Sequence, residues 1–501
     1  MDIRLKYLLP VLAGTVLLFI PLVRDLHIES AIIAAAVGTF WGGLAATRRP
    51  DAARAETERD SDAVRALRIV GMICLAGIPL FVYALITGCY TIHGLGYWLF
   101  FPFPSVYFGY ATGRLVRKFR LRYPRLITTS VLALVAAGVF LYEFFTLPQL
   151  YYFNHVWGGW PGPIYDEAVQ LGWPVIGFRF ITLCWILILW YIPEMKADAD
   201  RVNRWIVALA AVALVISYTQ LEQMGVISTD ELLQQRLGGS LETTHARLYY
   251  DSGSYNGEEI GLMAKEIAFY IHQTREALQV GLPDSARKIE VYLYRHPWQK
   301  KKLVGAKYTS YVTVWQNTPQ IHIAKGQIEG SLKHEVVHAV TALLEEPGLL
   351  PNVGLTEGIA VALDPDRSPR STIDQLVAAS KPYPTREEMD DALSYWGFYT
   401  GRSAVSYTTT GSFVRYLIER YSPEHFVDAY ESGSLAEAYP DPFGELVEGW
   451  HRRLDSVTVD SSDRKRADEI FGRPSLFEQH CPHKVPRAAA LFDRFLYYEA
   501  E

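Results

Sequence analysis

Apolar residues dominate the first 220 positions of the chain and become less frequent after them. Seven apolar stretches lie near residues 7–23, 30–47, 69–88, 94–113, 127–146, 174–192 and 205–220. Because a helix of about 20 residues spans the hydrocarbon core of a bilayer, the pattern predicts an all-α polytopic membrane domain over residues 1–220. The seventh stretch is the shortest, so six and seven transmembrane helices both agree with the pattern. Pro102 and Pro104 are expected to break or kink the fourth stretch.

Basic residues in the loops predict the orientation of this domain. The even-numbered loops hold Arg48, Arg49, Arg54, Arg59 and Arg65 (second), Arg114, Arg117, Lys118, Arg120, Arg122 and Arg125 (fourth), and Lys196, Arg201 and Arg204 (sixth). The fifth loop, roughly residues 147–173, has neither Lys nor Arg. Since short cytoplasmic loops carry the excess of Lys and Arg, the N-terminus is expected in the cytoplasm and everything after about residue 221 outside it. The first stretch follows Arg4 and Lys6 without a small-x-small cleavage motif, which favours a retained signal anchor in a plasma or bacterial inner membrane.

After residue 220 the pattern is typical of a soluble α+β domain. Residues 221–240 are polar and are interpreted as a connector. Alternating apolar positions predict strands at 246–250, 289–293, 311–314 and 320–323, and helical periodicity predicts helices at 258–278, 386–394, 411–421, 423–431 and 442–454. We therefore expect a folded domain over residues 241–457 and a C-terminal tail over residues 458–501.

A His-Glu-x-x-His motif lies just after the last predicted strand, at His334, Glu335 and His338. Residues four apart leave a helix on one face, so the two imidazoles can hold one Zn²⁺ ion. Glu335 then lies beside the metal, where a general base for water is needed. Ser331 is expected to cap this helix, and Val336, Val337 and Val340 to form its buried side. The alternative is a buried helix whose histidines are only hydrogen-bonded.

A catalytic zinc site needs a third protein ligand, and Glu357 lies 19 positions after His338. The stretch Leu355-Thr-Glu-Gly-Ile-Ala360 resembles the Glu-Gly-x-Ala segment of the gluzincin metallopeptidases, which include thermolysin and the bacterial "peptidase MA-like" domains. That resemblance covers roughly residues 245–455 and implies a thermolysin-like α+β fold, one zinc ion, and His334, His338 and Glu357 as its ligands. The metzincin pattern does not fit, because it needs Gly at position 341 and His at position 344, where the chain has Thr and Leu.

The same resemblance implies further site residues. The stretch from Ser406 to Tyr421 is similar to a segment of the peptidase MA-like domains, and a Tyr beyond the third ligand donates to the oxyanion in gluzincins. Tyr407 is the candidate, with Tyr399 as a competitor and packing at a helix start as the alternative. Asp364 could orient a ligand imidazole, although the acid of thermolysin-type enzymes stands where this chain has Val361. Residues 320–324 are the candidate edge strand for pairing with extended substrate.

The remaining polar features carry less chemistry. The net charge of −6 gives no reason to expect a nucleic-acid partner. Arg179 lies near the outer end of the sixth stretch, where snorkelling to the interface is the simplest interpretation. The tail contains His480-Cys-Pro-His483, whose donors are too closely spaced for a zinc ribbon. Cys481 is the only cysteine after residue 220, so no disulfide is expected within the soluble domain.

The sequence therefore favours a membrane-anchored zinc metallopeptidase that acts on peptides or proteins outside the cytoplasm. The alternative is a non-catalytic receptor or scaffold that binds peptides with a peptidase-like fold. Glu335 separates the two functions, because a binding module has no need of a general base. A transporter with an accessory domain ranks third, since the apolar stretches show no internal repeat and few charges.

Overall fold

The computed structural model describes residues 3–48, 61–164, 169–195, 201–281, 288–344, 352–364, 371–484, 491–492 and 494–495. The chain divides into two compact units. The first comprises Met1–Leu232, Lys302–Gly305 and His480–Glu501, and the second comprises Leu233–Lys301 and Ala306–Gln479. Of the loop residues that predict the orientation, Arg49, Arg54, Arg59 and Lys196 lie outside the described residues.

The first unit is mostly helical. Its elements are α1 Ile3–Leu17, α2 Ile28–Ala46, α3 Asp62–Thr87, α4 Ile92–Phe100, α5 Pro102–Lys118, α6 Pro124–Thr146, β1 Tyr152–Asn154, β2 Gly158–Trp160, α7 Trp173–Tyr191 and α8 Arg201–Thr219. Within the described residues, five helices are long and apolar enough to cross a membrane, namely α2, α3, α6, α7 with its short 3₁₀ extension to Glu194, and α8. The first predicted span is shorter, because α1 has 15 residues. The fourth is divided as expected, since α4 ends at Phe100 and α5 begins at Pro102.

Small residues let α2 and α5 approach each other closely. A Cβ atom at Gly109 would lie 2.0 Å from the carbonyl oxygen of Thr39, and one at Gly113 would lie 2.1 Å from that of Gly43. Apolar side chains gain little by leaving lipid for a helix interface, so backbone proximity of this kind is a main source of association between membrane helices. This contact explains why α5, which is too short and too polar to count as a span by itself, is nevertheless buried.

The side chain of Arg179 is directed into the first unit, whereas the sequence suggested that it extends towards the membrane interface. Its side chain is buried on α7, donates from Nη1 to the carbonyl oxygen of Asn154 at 3.2 Å, and places its guanidinium 5.1 Å from the centre of the Phe101 ring. Snorkelling was the wrong interpretation because the β1–β2 hairpin supplies a polar backbone partner inside the unit, which hydropathy alone does not reveal.

Apart from the first three residues of the helix at 230–237 and the last three of the helix at 297–304, which belong to the first unit, the second unit contains one five-stranded sheet and the remaining helices. They are α9 Asp230–Leu237, β3 Gly238–Glu242, β4 Ala246–Asp251, α10 Gly257–Leu278, β5 Ile289–Tyr294, α11 Pro297–Val304, β6 Tyr311–Val312, β7 Gln320–Ala324, α12 Ile328–Thr341, α13 Val353–Ala362, α14 Ile373–Ala379, α15 Arg386–Leu393, α16 Tyr395–Thr400, α17 Ser403–Arg420, α18 Pro423–Ser432, α19 Leu435–Ala438, α20 Phe443–Asp455 and α21 Ser461–Phe471. The four predicted strands correspond to β4, β5, β6 and β7. The predicted connector, residues 221–240, contains α9 and the first three residues of β3.

The strand order is β3-β4-β5-β7-β6. The central strands β4, β5 and β7 are parallel, and β3 and β6 flank them as antiparallel strands. The sequence named residues 320–324 as the edge strand, and this is wrong. Strand β7 pairs with β5 on one side and with β6 on the other, through Tyr311 opposite His322 and Val312 opposite Ile321. The strand beyond it is β6, which was predicted at 311–314 and has two residues in the structure.

Helix α12 lies between two hydrophobic cores. Leu332, Val336 and Val340 pack with the sheet and α10, whose buried side includes Ile267. Val337 belongs instead to a helical core built from α13, α17, α18 and α20. Fully burying one aliphatic side chain contributes about 1.5–3 kcal/mol, so packing on both sides fixes the rotation of α12 about its axis. The helix begins at Ile328 rather than at Ser331, so Ser331 is not its N-cap.

Candidate metal centre

The three residues of the His-Glu-x-x-His motif are buried on α12, as the spacing predicts. The rings of His334 and His338 meet at nearly a right angle, with centroids 4.7 Å apart, and their Nε2 atoms are 3.1 Å apart. Glu335 is 5% exposed and occupies the next position along the helix. The core contacts of the neighbouring valines hold this face of the helix in place.

The third residue of the centre comes from α13. Asn352 precedes this helix, and its side-chain oxygen accepts a hydrogen bond from the backbone N–H of Leu355 at 3.0 Å, which caps the first turn. One turn later, Glu357 directs Oε2 to 3.4 Å from Nε2 of His334 and 3.2 Å from Nε2 of His338. The structure therefore brings together the three residues that the sequence named as ligands, across 19 positions of chain.

These distances suit a single tetrahedral ion. Donor atoms about 2.0–2.1 Å from a zinc ion are about 3.3–3.4 Å from one another in tetrahedral geometry, and the observed separations are 3.1, 3.2 and 3.4 Å. Burial by itself would raise the pKa of Glu357, but the two adjacent imidazoles hold that pKa well below its ordinary value. The carboxylate is therefore anionic at neutral pH, and two nitrogens with one anionic oxygen form a donor set typical of catalytic zinc.

A glycine next to Glu357 sets the distance between α13 and α17. A Cβ atom at Gly358 would lie 2.8 Å from Cγ2 of Val414 and 3.0 Å from the carbonyl oxygen of Thr410. On the opposite helix, a Cβ atom at Gly411 would lie 2.4 Å from Cγ1 of Val361. Gly358 and Gly411 each belong to one of the two segments that carry the resemblance. Because neither has a side chain, α13 and α17 can cross closely beside Glu357.

Ser412 and Phe413 in the same segment are structural. The hydroxyl of Ser412 donates to Oδ1 of Asp374 at 2.7 Å and accepts from the indole N–H of Trp450 at 3.0 Å. The side chain of Phe413 is fully buried, and its ring lies edge-on to that of Trp450 with centroids 5.7 Å apart. These contacts attach α17 to α14 and α20, and so they support the helix that packs beside Glu357.

The remaining sequence candidates lie on α16 and α17 and just after α13. Tyr407 lies half-buried in the first turns of α17, edge-on to Phe398 with ring centroids 4.9 Å apart. It precedes Thr410 by three residues, about one helical turn from the point where α17 meets Gly358. Tyr399 is 46% exposed on α16. Asp364 is buried just beyond the end of α13. At the helical rise of about 1.5 Å per residue, it lies about 10 Å from Glu357 along the helix axis.

Comparison with known proteins does not identify a family for the chain. No protein-family model matches the chain, and a search of curated proteins found no significant match. The interpretation of the centre therefore depends on its own geometry and on the resemblance of two short segments.

Proposed function

We propose that this chain is a membrane-anchored, zinc-dependent metallopeptidase of the gluzincin type. One observation carries the proposal: Nε2 of His334, Nε2 of His338 and Oε2 of Glu357 lie at mutual distances that suit one tetrahedral ion, and Glu335 is buried beside them. A histidine pair that served only the core would not need an anionic third group at the same separations. A zinc ion bound there would polarise a carbonyl group and lower the pKa of a water molecule.

The side chains of the chain have separate tasks in this mechanism. The carboxylate of Glu335 accepts the proton of the attacking water and returns it to the leaving amine, which is general base and then general acid catalysis. The hydroxyl of Tyr407 donates a hydrogen bond to the oxyanion that develops on the scissile carbonyl. His334, His338 and Glu357 would hold the ion.

The sheet favours a peptide as the substrate. Strand β6 stands at the end of the strand order, and an extended peptide adds to a sheet at an end strand of this kind. This role moves from residues 320–324, which lie inside the sheet, to Tyr311 and Val312.

We also propose that the catalytic domain lies outside the cytoplasm. Cys89, in the third loop of the predicted topology, forms a disulfide with Cys481 in the tail. Disulfides persist in oxidising compartments and are rare in the cytosol, so this bond supports the orientation that the loop charges predict. The five long apolar helices of the first unit provide the anchor.

The experiment compares three substitutions of glutamate in the full-length protein in detergent. Glu335→Gln preserves side-chain size and the three ligands, so zinc should stay bound while peptide hydrolysis falls by about 10²–10⁴-fold, the usual contribution of general-base catalysis. Glu357→Gln removes the anionic ligand, so both zinc content and hydrolysis should fall. Glu329→Gln is the matched control, because Glu329 lies exposed on the same helix, and it should change neither.

The readouts are zinc per chain by elemental analysis and hydrolysis of a quenched fluorescent peptide library. Normal turnover by the Glu335→Gln variant would refute the proposed mechanism. If the wild type binds zinc and peptides but cleaves none, the receptor function replaces the peptidase.

A further inference from the structure

A cavity of about 230 Å³ lies among four helices of the second unit. Its walls come from the C-terminal half of α10, from one residue of α12, from the end of α13 and from the second half of α17. Of the residues that the structure describes, His334, His338 and Glu357 do not line it. The cavity is therefore separate from the candidate metal centre, although α12 and α13 contribute to both.

One part of the lining is apolar. It is formed by Ala277, Ala362, Leu363 and Ile418. The side chains of Leu363 and Ile418 are half-buried against the helical core, so their positions are set by packing. Pockets that bind drug-sized ligands have volumes of about 300–1,000 Å³, and this cavity is smaller. It therefore suits a small ligand with an apolar part.

The charged side chains at the cavity are two cations and one carboxylate. Both oxygens of Glu419 are engaged, because Oε1 accepts from Nε of Arg415 at 2.8 Å and Oε2 lies 2.5 Å from Nη2 of Arg453. Lys333 forms no ion pair with any residue that the structure describes, and its Nζ lies 5.8 Å from the centre of the Tyr270 ring. The cavity therefore has one positive charge that no carboxylate neutralises.

Hydrogen-bond donors lie beside this charge. Arg415 uses Nε for its bond to Glu419, and neither of its Nη groups makes a hydrogen bond within the described part of the chain. The side-chain amide of Gln273 is exposed and likewise makes none there. The hydroxyl of Thr274 donates to the carbonyl oxygen of Tyr270 at 2.8 Å, so it has no proton left for a ligand. The available groups are mostly donors, which suits an anion.

We propose that this cavity binds a small aliphatic carboxylate. Lys333 and Arg415 hold the carboxylate group, because cationic side chains form hydrogen bonds to carboxylates that are roughly twice as strong as neutral ones. The aliphatic chain lies against Leu363 and Ile418, where it leaves water. A cationic ligand would find no free partner here, since the one carboxylate of the cavity is already paired. Inorganic phosphate would leave the apolar part unused.

The test measures binding of trifluorobutyrate to the full-length protein in detergent by fluorine NMR. The unchanged protein should bind the probe with a dissociation constant below about 10 mM. Lys333→Gln should weaken this binding by about 10-fold or more, because it removes a hydrogen bond to a charged group. Ala277→Leu should remove the same binding, because it places a larger side chain in the cavity and leaves its charges unchanged.

Matched controls come from the exposed side of α10. Lys265→Gln makes the same change of charge, and Ala268→Leu makes the same change of size; both residues are exposed and neither lines the cavity. Neither control should alter binding. A carboxylate can also bind a zinc ion, but none of the four substitutions changes a residue of the metal centre. Each variant and its control therefore differ only in the cavity.

Three results would overturn the proposal. No binding of the probe below about 10 mM by the unchanged protein would show that the cavity is not a carboxylate site. Equal binding by the Lys333→Gln and Lys265→Gln variants would show that the ligand is not held as an anion. Equal binding by the Ala277→Leu and Ala268→Leu variants would place the probe elsewhere. The assay contains no peptide and needs no turnover, so its outcome is independent of the peptidase.

Discussion

Substituting Gly358 by alanine tests whether helix crossing positions Glu357. Carbon atoms pack at about 3.5–4.0 Å, and the new Cβ atom would lie 2.8 Å from Cγ2 of Val414. It would also lie 3.0 Å from the carbonyl oxygen of Thr410, which belongs to the backbone and cannot rotate away. Val414 is fully buried, so its side chain has little room to move. The helices α13 and α17 must therefore separate by about 0.5–1 Å at this point.

The expected energy follows from two opposing terms. Overpacking of a buried contact costs about 1–3 kcal/mol, and replacing glycine by alanine inside a helix contributes about 1 kcal/mol of stability. The net loss should be about 0–2 kcal/mol. Gly261→Ala is the matched control, because Gly261 lies in helix α10 and a Cβ atom there would meet no described atom within 4 Å. The control should gain up to about 1 kcal/mol, so the two variants should differ by about 1–3 kcal/mol.

Chemical denaturation of the two variants measures the stability difference, and competition with a chromogenic chelator measures zinc affinity. Because Glu357 adjoins the altered residue, zinc affinity should fall in the Gly358→Ala variant only. Peptide hydrolysis should also fall by about 10²-fold, the effect of a 1 Å misplacement in a catalytic site. Equal stability and equal zinc affinity in the two variants would show that the close crossing of α13 and α17 does not position the ligand.

Three further predictions concern side chains around the two units. Tyr407→Phe should keep zinc and lower the catalytic rate by about 10²–10³-fold, as loss of an oxyanion donor does, whereas Tyr399→Phe should change neither in the same assays. Ser412→Ala should cost about 1–3 kcal/mol in urea denaturation, because the buried indole N–H of Trp450 loses its acceptor; an unchanged midpoint would contradict this. The protein taken from intact cells should migrate differently before and after reduction, and Cys89→Ala should abolish the difference; free thiols in rapidly alkylated cells would contradict the orientation.

The features that could be predicted from the sequence are those that depend on residues close together in the chain. Apolar stretches of membrane-spanning length, the alternation of β4, β5 and β7, and the break before Pro102 all follow from residues close together in the chain. The meeting of His334, His338 and Glu357 was predictable for a different reason. Two of the three share a helix face, and the third lies in a helix that begins only a short connection later, so few arrangements keep them apart.

Features that depend on distant pairing were missed. A strand at 311–314 was predicted, but its place outside β7 was not, because the order of strands in a sheet depends on which strands pair. Cys89 and Cys481 are 392 positions apart, and no pattern in either segment points to the other. The partner of Arg179 is a backbone carbonyl in a hairpin, and a backbone group carries no signal in the sequence. Each of these contacts depends on tertiary packing, and no pattern in the neighbouring residues indicates it.

The two cores around α12 explain why a short motif can form a precise site. Val336 and Val340 face the sheet, and Val337 faces the helical core, so two directions around the helix axis are occupied by packing. A rotation of one residue, about 100°, would move these valines out of their cores at a cost of several kcal/mol. The imidazoles of His334 and His338 therefore have their direction set by residues that never touch a metal. Glu357 is fixed separately, by the cap at Asn352 and the crossing at Gly358. Since different packing contacts orient the two sides of the centre, weakening one contact should shift one ligand without releasing the others, which is the selective effect that the Gly358→Ala comparison measures.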